Sequence, residues 1–119
     1  MHQCINCQSS LSVATVHCDT CAISFTGSFE LPRLARLSPA QQHLAEQLVL
    51  AAGNLKQMAA ALEVSYPTLR KRLDDLVEAI HQLRLNDEAR AATLLESVAH
   101  GDSTPETAAR LIKEMSGAI

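Results

Sequence analysis

The stretch from Gly53 to Leu73, GNLKQMAAALEVSYPTLRKRL, constrains the fold more than any other part of the chain. Gly53 can take the positive φ that ends one helix, and Asn54 carries a side-chain oxygen that caps the next. Leu55, Met58, Ala59 and Leu62 repeat at the spacing of one buried helical face, while Ala60 and Ala61 let a neighbouring helix approach closely. Glu63 and Val64 form the turn. Ser65 is the next N-cap, Pro67 lacks an N–H that the first helical turn leaves unpaired anyway, and Leu69, Leu73 and Leu76 begin a new apolar stripe. Two short helices around a tight turn form a helix-turn-helix, whose second helix can enter the DNA major groove.

With Leu69 and Leu73 inward, a rotation of about 100° per residue points Pro67 and Lys71 outward, flanked by Thr68 and Arg70. Tyr66 sits at the rim, and Arg72 turns toward its own domain and the phosphate backbone. Tyr66, Pro67, Thr68, Arg70, Lys71 and Arg72 are therefore the candidate DNA contacts. Capped helical hairpins also occur as plain packing units, and Asp74, Asp75 and Glu78 on the same helix repel phosphate. A protein–protein adaptor without DNA binding is thus the alternative.

Ser38-Pro39-Ala40-Gln41 is a capping box with proline at the first helical position, so a helix is expected from there to Ala52, with Leu44, Leu48 and Ala52 inward. It completes a three-helix unit over residues 38–85. Leu69, Leu73, Leu76, Ile80 and Leu83 are spaced four, three, four and three, a heptad seam longer than that unit needs. Leu76, Ile80 and Leu83 accordingly call for another surface, either the C-terminal segment or a second copy in a homodimer. Asn86 and Asp87 then read as a cap, opening a helical hairpin within residues 86–119. Its stripes are Ala91, Leu94, Leu95, Val98 and Ala108, Leu111, Ile112, Met115, joined by HGDSTP. A hairpin this small must dock on the long helix or pair between subunits.

At the other end, residues 4–21 read CINCQSSLSVATVHCDTC. Each Cys-x-x-Cys fits a tight knuckle, and the arm between them is long enough to run out and back as a hairpin around a tetrahedral zinc. Cys4, Cys7, Cys18 and Cys21 are the expected ligands of one structural Zn²⁺ per chain, in a zinc ribbon over residues 1–33. A thiol redox switch and an iron–sulfur site are the alternatives. His2 and His17 read as bystanders. Ile23, Phe25, Phe29 and Leu31 alternate about a Gly27-Ser28 turn as the last ribbon strands, the phenylalanines packing under the metal. Arg33 and Arg36 form a small basic spot between the modules, either meeting phosphate or solvated.

Only 3% of the residues are aromatic, which favours a helical core of Leu, Ala, Val and Ile and leaves little for base stacking. The formal net charge of −3 gives no global attraction to nucleic acid, so any such binding must be local. No apolar run approaches a membrane span, and the N-terminus lacks the features of a secretory signal. A cytoplasmic protein is expected, where paired cysteines serve metals better than disulfides. No nucleophile, base and orienting group can be placed together, so an enzyme is not indicated.

The four cysteines, the FTGSFELPRLARLS segment and GNLKQMAAALEVSYPTLRKRLDDL together resemble a bacterial family of small zinc-ribbon and helix-turn-helix proteins, domain of unknown function 2089, over residues 4–85. The family has proline after the first cysteine and glycine after the second, where this chain has Ile5 and Gln8. Gly53, Asn54, Ala59, Ala60, Thr68, Leu69, Arg70 and Lys71 are similar to the DNA-binding end of Fis-type regulators. TLLESVAHGDSTPETAARLIKEM is similar to helical hairpins beside bacterial envelope-stress proteins, which implies oligomerisation. The expected fold is mainly α with a small N-terminal β zinc ribbon, a three-helix helix-turn-helix unit and a C-terminal helical hairpin. The expected function is a DNA-binding transcriptional regulator.

Overall fold

The computed structural model describes residues 3–117, so His2 lies outside the described residues. An antiparallel pair, β1 (Val13–His17) and β2 (Ser24–Phe29), leads through a single 3₁₀ turn at Arg33–Arg36 into four helices. These are α1 (Pro39–Leu50), α2 (Leu55–Ala61), α3 (Tyr66–Ala99) and α4 (Pro105–Ser116). The chain is mainly helical, with a two-stranded hairpin before the helices and a helical hairpin after them.

Each helix starts where a short polar side chain can satisfy the free N–H groups of a first turn. Ser38 and Gln41 form the reciprocal capping box of α1, Asn54 accepts from Gln57 N at 3.1 Å, and Thr104 accepts from Thr107 N at 3.2 Å. Leu37, Leu44, Met58, Ala59, Leu69, Leu73 and Leu76 form the first core, between α1, α2 and the start of α3. Ile80 and Leu83, partly buried, pack against it. A second core joins Leu94 to Ala108, Leu111 and Met115, with Val98 and Ile112 at its margin. Leu95, expected on the same stripe, is exposed.

The expected cap at Asn86 and Asp87 is absent, because α3 runs unbroken through both. Its 34 residues extend about 50 Å at 1.5 Å per residue, close to the longest dimension of the molecule, 53 Å. The expected hairpin is therefore the distal half of α3 folded against α4, with Gly101 in the left-handed conformation at the bend. Asp87 is buried, 7% exposed, and faces the 3₁₀ turn. Arg36 grips it with two bonds, Nη1 to Oδ1 at 2.7 Å and Nη2 to Oδ2 at 2.8 Å, and Arg33 Nε donates to Oδ2 at 2.8 Å. Arg36 Nη2 also reaches Met115 O on α4 at 3.3 Å. The two arginines thus engage a carboxylate and are not a solvated basic spot.

The ribbon departs from expectation most. Gly27 and Ser28 are not a turn but lie within β2. Val13 faces Phe29 while Thr15 faces Thr26, so β2 carries an extra residue in between, a bulge. Each cysteine pair does occupy a tight knuckle. Cys4 N bonds Ser9 O and Gln8 N bonds Cys4 O, and the same pattern recurs as Cys18 N to Ile23 O and Ala22 N to Cys18 O. The two knuckles, however, do not come together. Among the described residues no group of three or more His, Cys, Asp or Glu stands close enough to hold a metal ion. The physical reason is the path of the arm. The arm does not run out and back on itself: Ser10 bridges to Gln3, and its one strand, β1, pairs with β2 and leads one way into the second knuckle. A structural zinc on Cys4, Cys7, Cys18 and Cys21, and with it a zinc ribbon, is overturned by this arrangement. Phe25 has no metal site to pack under and is 59% exposed.

The buried ion pairs generate a direct test. Burial raises the Asp87 pKa, but the hydrogen bonds and charges of Arg36 and Arg33 outweigh it and hold the carboxyl below its ordinary value. A folded pKa below the unfolded one, roughly 3.9, adds stability that is present above that value and lost as the pH falls through the folded pKa. Asp87→Asn should lower unfolding stability by about 2 kcal/mol at neutral pH, and the difference from wild type should shrink in acid. Denaturant titrations at pH 7 and pH 3 check this, and a deficit that does not change with pH would contradict the assignment.

Candidate nucleic-acid interface

The helix-turn-helix is built by backbone reversals. Gly53 at φ 79° ends the approach to α2, with its N–H bonded to Leu48 O at 3.0 Å. Glu63 at φ 56° turns the chain out of α2, and Val64 N returns to Ala59 O at 3.1 Å. Ser65 Oγ accepts from Thr68 N at 3.3 Å and donates to Thr68 Oγ1 at 2.8 Å, fixing the first turn of α3. Leu69 is 0% exposed, which sets the rotation of that helix.

Tyr66, Pro67, Thr68, Arg70, Lys71 and Arg72 are all exposed on the first two turns of α3, around the buried Leu69 and Leu73. Their environments differ. Arg70 Nε lies 3.5 Å from Asp74 Oδ1, an exposed contact of the kind that contributes little to stability. Lys71 has no ion-pair partner among the described residues. Arg72 turns back toward α1 and lines a groove with Leu44 and Asp75. Asp75 and Glu78 continue the exposed face. The candidate surface is therefore a short cationic patch bordered by carboxylates.

No catalytic constellation assembles elsewhere among the described residues. All four thiols are free, and those of Cys7 and Cys21 are exposed. Hydrogen bonds from Ser9 lower the Cys7 thiol, and those from Cys21 lower Cys18. Among the described residues no helix is long and apolar enough to cross a membrane. Asp87, expected as a cap, is instead a buried ion-pair partner. It falls four positions after Leu83 on the apolar seam, where a carboxylate demands a buried partner, and that spacing was the available signal.

A family model described as domain of unknown function (DUF2089), helix-turn-helix, matches residues 37–82. The match spans α1, α2 and the first half of α3. It does not extend over the cysteine pairs, so the broader likeness to a zinc-ribbon family over residues 4–85 is corrected to the helix-turn-helix part alone. No curated protein and no solved structure matches the chain.

The cap and the surface ion pair should behave differently on mutation. Ser65→Ala should cost about 1 kcal/mol, since it removes the acceptor at the start of α3. Asp74→Ala should change stability by less than about 1 kcal/mol while freeing Arg70. Chemical denaturation of the two variants compares them, and equal effects would show that the cap does not hold the turn.

Proposed function

We propose that this chain is a transcriptional regulator that binds DNA through the first two turns of α3. The observation that carries the proposal is the helix-turn-helix match over residues 37–82, coupled with six outward residues ahead of and around a fixed Leu69. Pro67 and Lys71 point toward the groove with Thr68 and Arg70 flanking them, Arg70 and Lys71 reach guanine edges or phosphate, and Tyr66 sits at the rim. Arg72 meets the backbone. Such a protein works in the cytoplasm.

One such helix reads only a few base pairs, so specificity requires a second copy on an adjacent half-site. Leu76 lies in the chain's own core and Ile80 and Leu83 are partly buried against it, so the last two, with the exposed Val49, Leu50 and Val77, are apolar surface near the helix-turn-helix for a homodimer. The carboxylates beside the patch restrict the number of phosphates that can be approached.

Affinity for duplex DNA should therefore fall steeply with salt, each lost phosphate contact reducing the logarithmic slope by about 0.9. Charge reversal at Arg70 and Lys71 together should abolish binding and leave the unfolding midpoint unchanged. Fluorescence anisotropy across a salt series measures both. If the wild-type chain has no affinity for DNA even at low salt, the adaptor role takes the place of this one.

A further inference from the structure

The groove behind the candidate DNA-contacting helix has the chemistry of a small-molecule site. It is an open groove of about 420 Å³ between α1, the end of α2 and α3, within the size range of ligand pockets. Leu44, Leu62 and Leu76 supply apolar wall, and Arg72 and Asp75 both line it from α3. These two opposite charges stand three residues apart on one helix, a spacing at which ion pairs commonly form. They do not pair with each other, and neither has another partner among the described residues. Gln41 lines the same rim. Its Oε1 is engaged by Ser38 N, which leaves the amide N–H groups as donors.

A simple carboxylate would satisfy Arg72 but would be repelled by Asp75, and an amine would have the converse problem. A ligand carrying both charges next to one another, with an aliphatic group beyond them, suits Arg72, Asp75 and the leucine wall together. We propose that this groove binds an aliphatic α-amino acid, its carboxylate on Arg72 and Gln41, its ammonium on Asp75 and its side chain against Leu44, Leu62 and Leu76. Because the ligand engages Arg72, it competes with the phosphate contact assigned to that residue. That consequence alone rests on the DNA-binding role, whereas occupancy of the groove does not.

Titration of the full chain with L-leucine, followed by amide chemical shifts in the absence of DNA, tests the site. Saturable shifts confined to residues around the groove are expected, with an affinity near the millimolar range appropriate to a ligand this small. Isovalerate, glycine and isopentylamine each lack one of the three features and should bind about tenfold more weakly or not at all. Arg72→Ala and Asp75→Asn should weaken leucine binding by about tenfold each, and both positions are exposed enough to leave the fold intact. Leu62→Ala provides a variant that alters the wall without touching a charge. No saturable shift with leucine, equal binding of isovalerate, or binding indifferent to both charge variants would overturn the proposal. A separate anisotropy measurement with and without leucine tests the effect on DNA, so failure there with binding intact faults only the regulatory consequence.

Discussion

Three parts of the chain meet at one carboxylate. Asp87 projects from the middle of α3 and accepts from Arg33 and Arg36 of the 3₁₀ turn, while Arg36 also holds the last turn of α4 through Met115 O. Removing either sign would leave a charge in a partly dry junction, which costs more than the pair itself contributes. The fork of Arg36 matches the carboxylate oxygens in a way that lysine could not reproduce. The junction is not fully satisfied, because Arg36 Nε is buried without a partner. A second set of contacts reinforces it from the ribbon side. Glu30 N donates to Glu114 Oε2 at 2.9 Å, Arg90 reaches Glu30 at 3.1 Å, and Arg110 reaches Ser28 O at 3.1 Å.

This arrangement explains why two small cores suffice. The first, around Leu69 and Met58, would make an ordinary three-helix unit, and the second, around Leu94 and Leu111, is too small to persist alone. Polar contacts between them tie the β hairpin, the 3₁₀ turn and α4 to a common helix. The β hairpin itself contributes little apolar burial. Its strands are held by their ladder, by Thr15 against Thr26 at 3.3 Å and by His17 Nδ1 against Ser24 Oγ at 2.8 Å.

Local chemistry was legible in the sequence, and its long-range uses were not. Ser38, Asn54, Ser65 and Thr104 cap their helices because a cap depends on three or four neighbouring residues. Asn86 and Asp87 have the same local character, yet the helix continues, since Arg33 and Arg36 provide Asp87 with a better partner more than fifty positions away. The cysteine knuckles were legible for the same reason as the caps. Whether they converge is a tertiary matter, and β1 decided it by pairing with β2. A Gly-Ser pair between alternating apolar residues has the local character of a turn, whereas the pairing of β1 with β2 keeps Gly27 and Ser28 in one strand. Helical phase places the six candidate DNA contacts on the outer side of α3, sets Asp74 one turn beyond Arg70 and turns Arg72 toward its own domain, but it does not show the groove that Arg72 lines with Leu44 of α1.

The unbroken course of α3 carries a geometric consequence. A helix without a proline or glycine in its interior past Pro67 has no ready hinge, so the azimuth of the C-terminal core is locked to that of the first turn. Each added or deleted residue between the two cores would swing one relative to the other by about 100° and shift it by about 1.5 Å. Seven residues would restore the phase to within roughly 20° while lengthening the rod. The separation of the two ends can therefore vary in steps of two helical turns, and their relative orientation behaves as a keyed coupling along a common shaft.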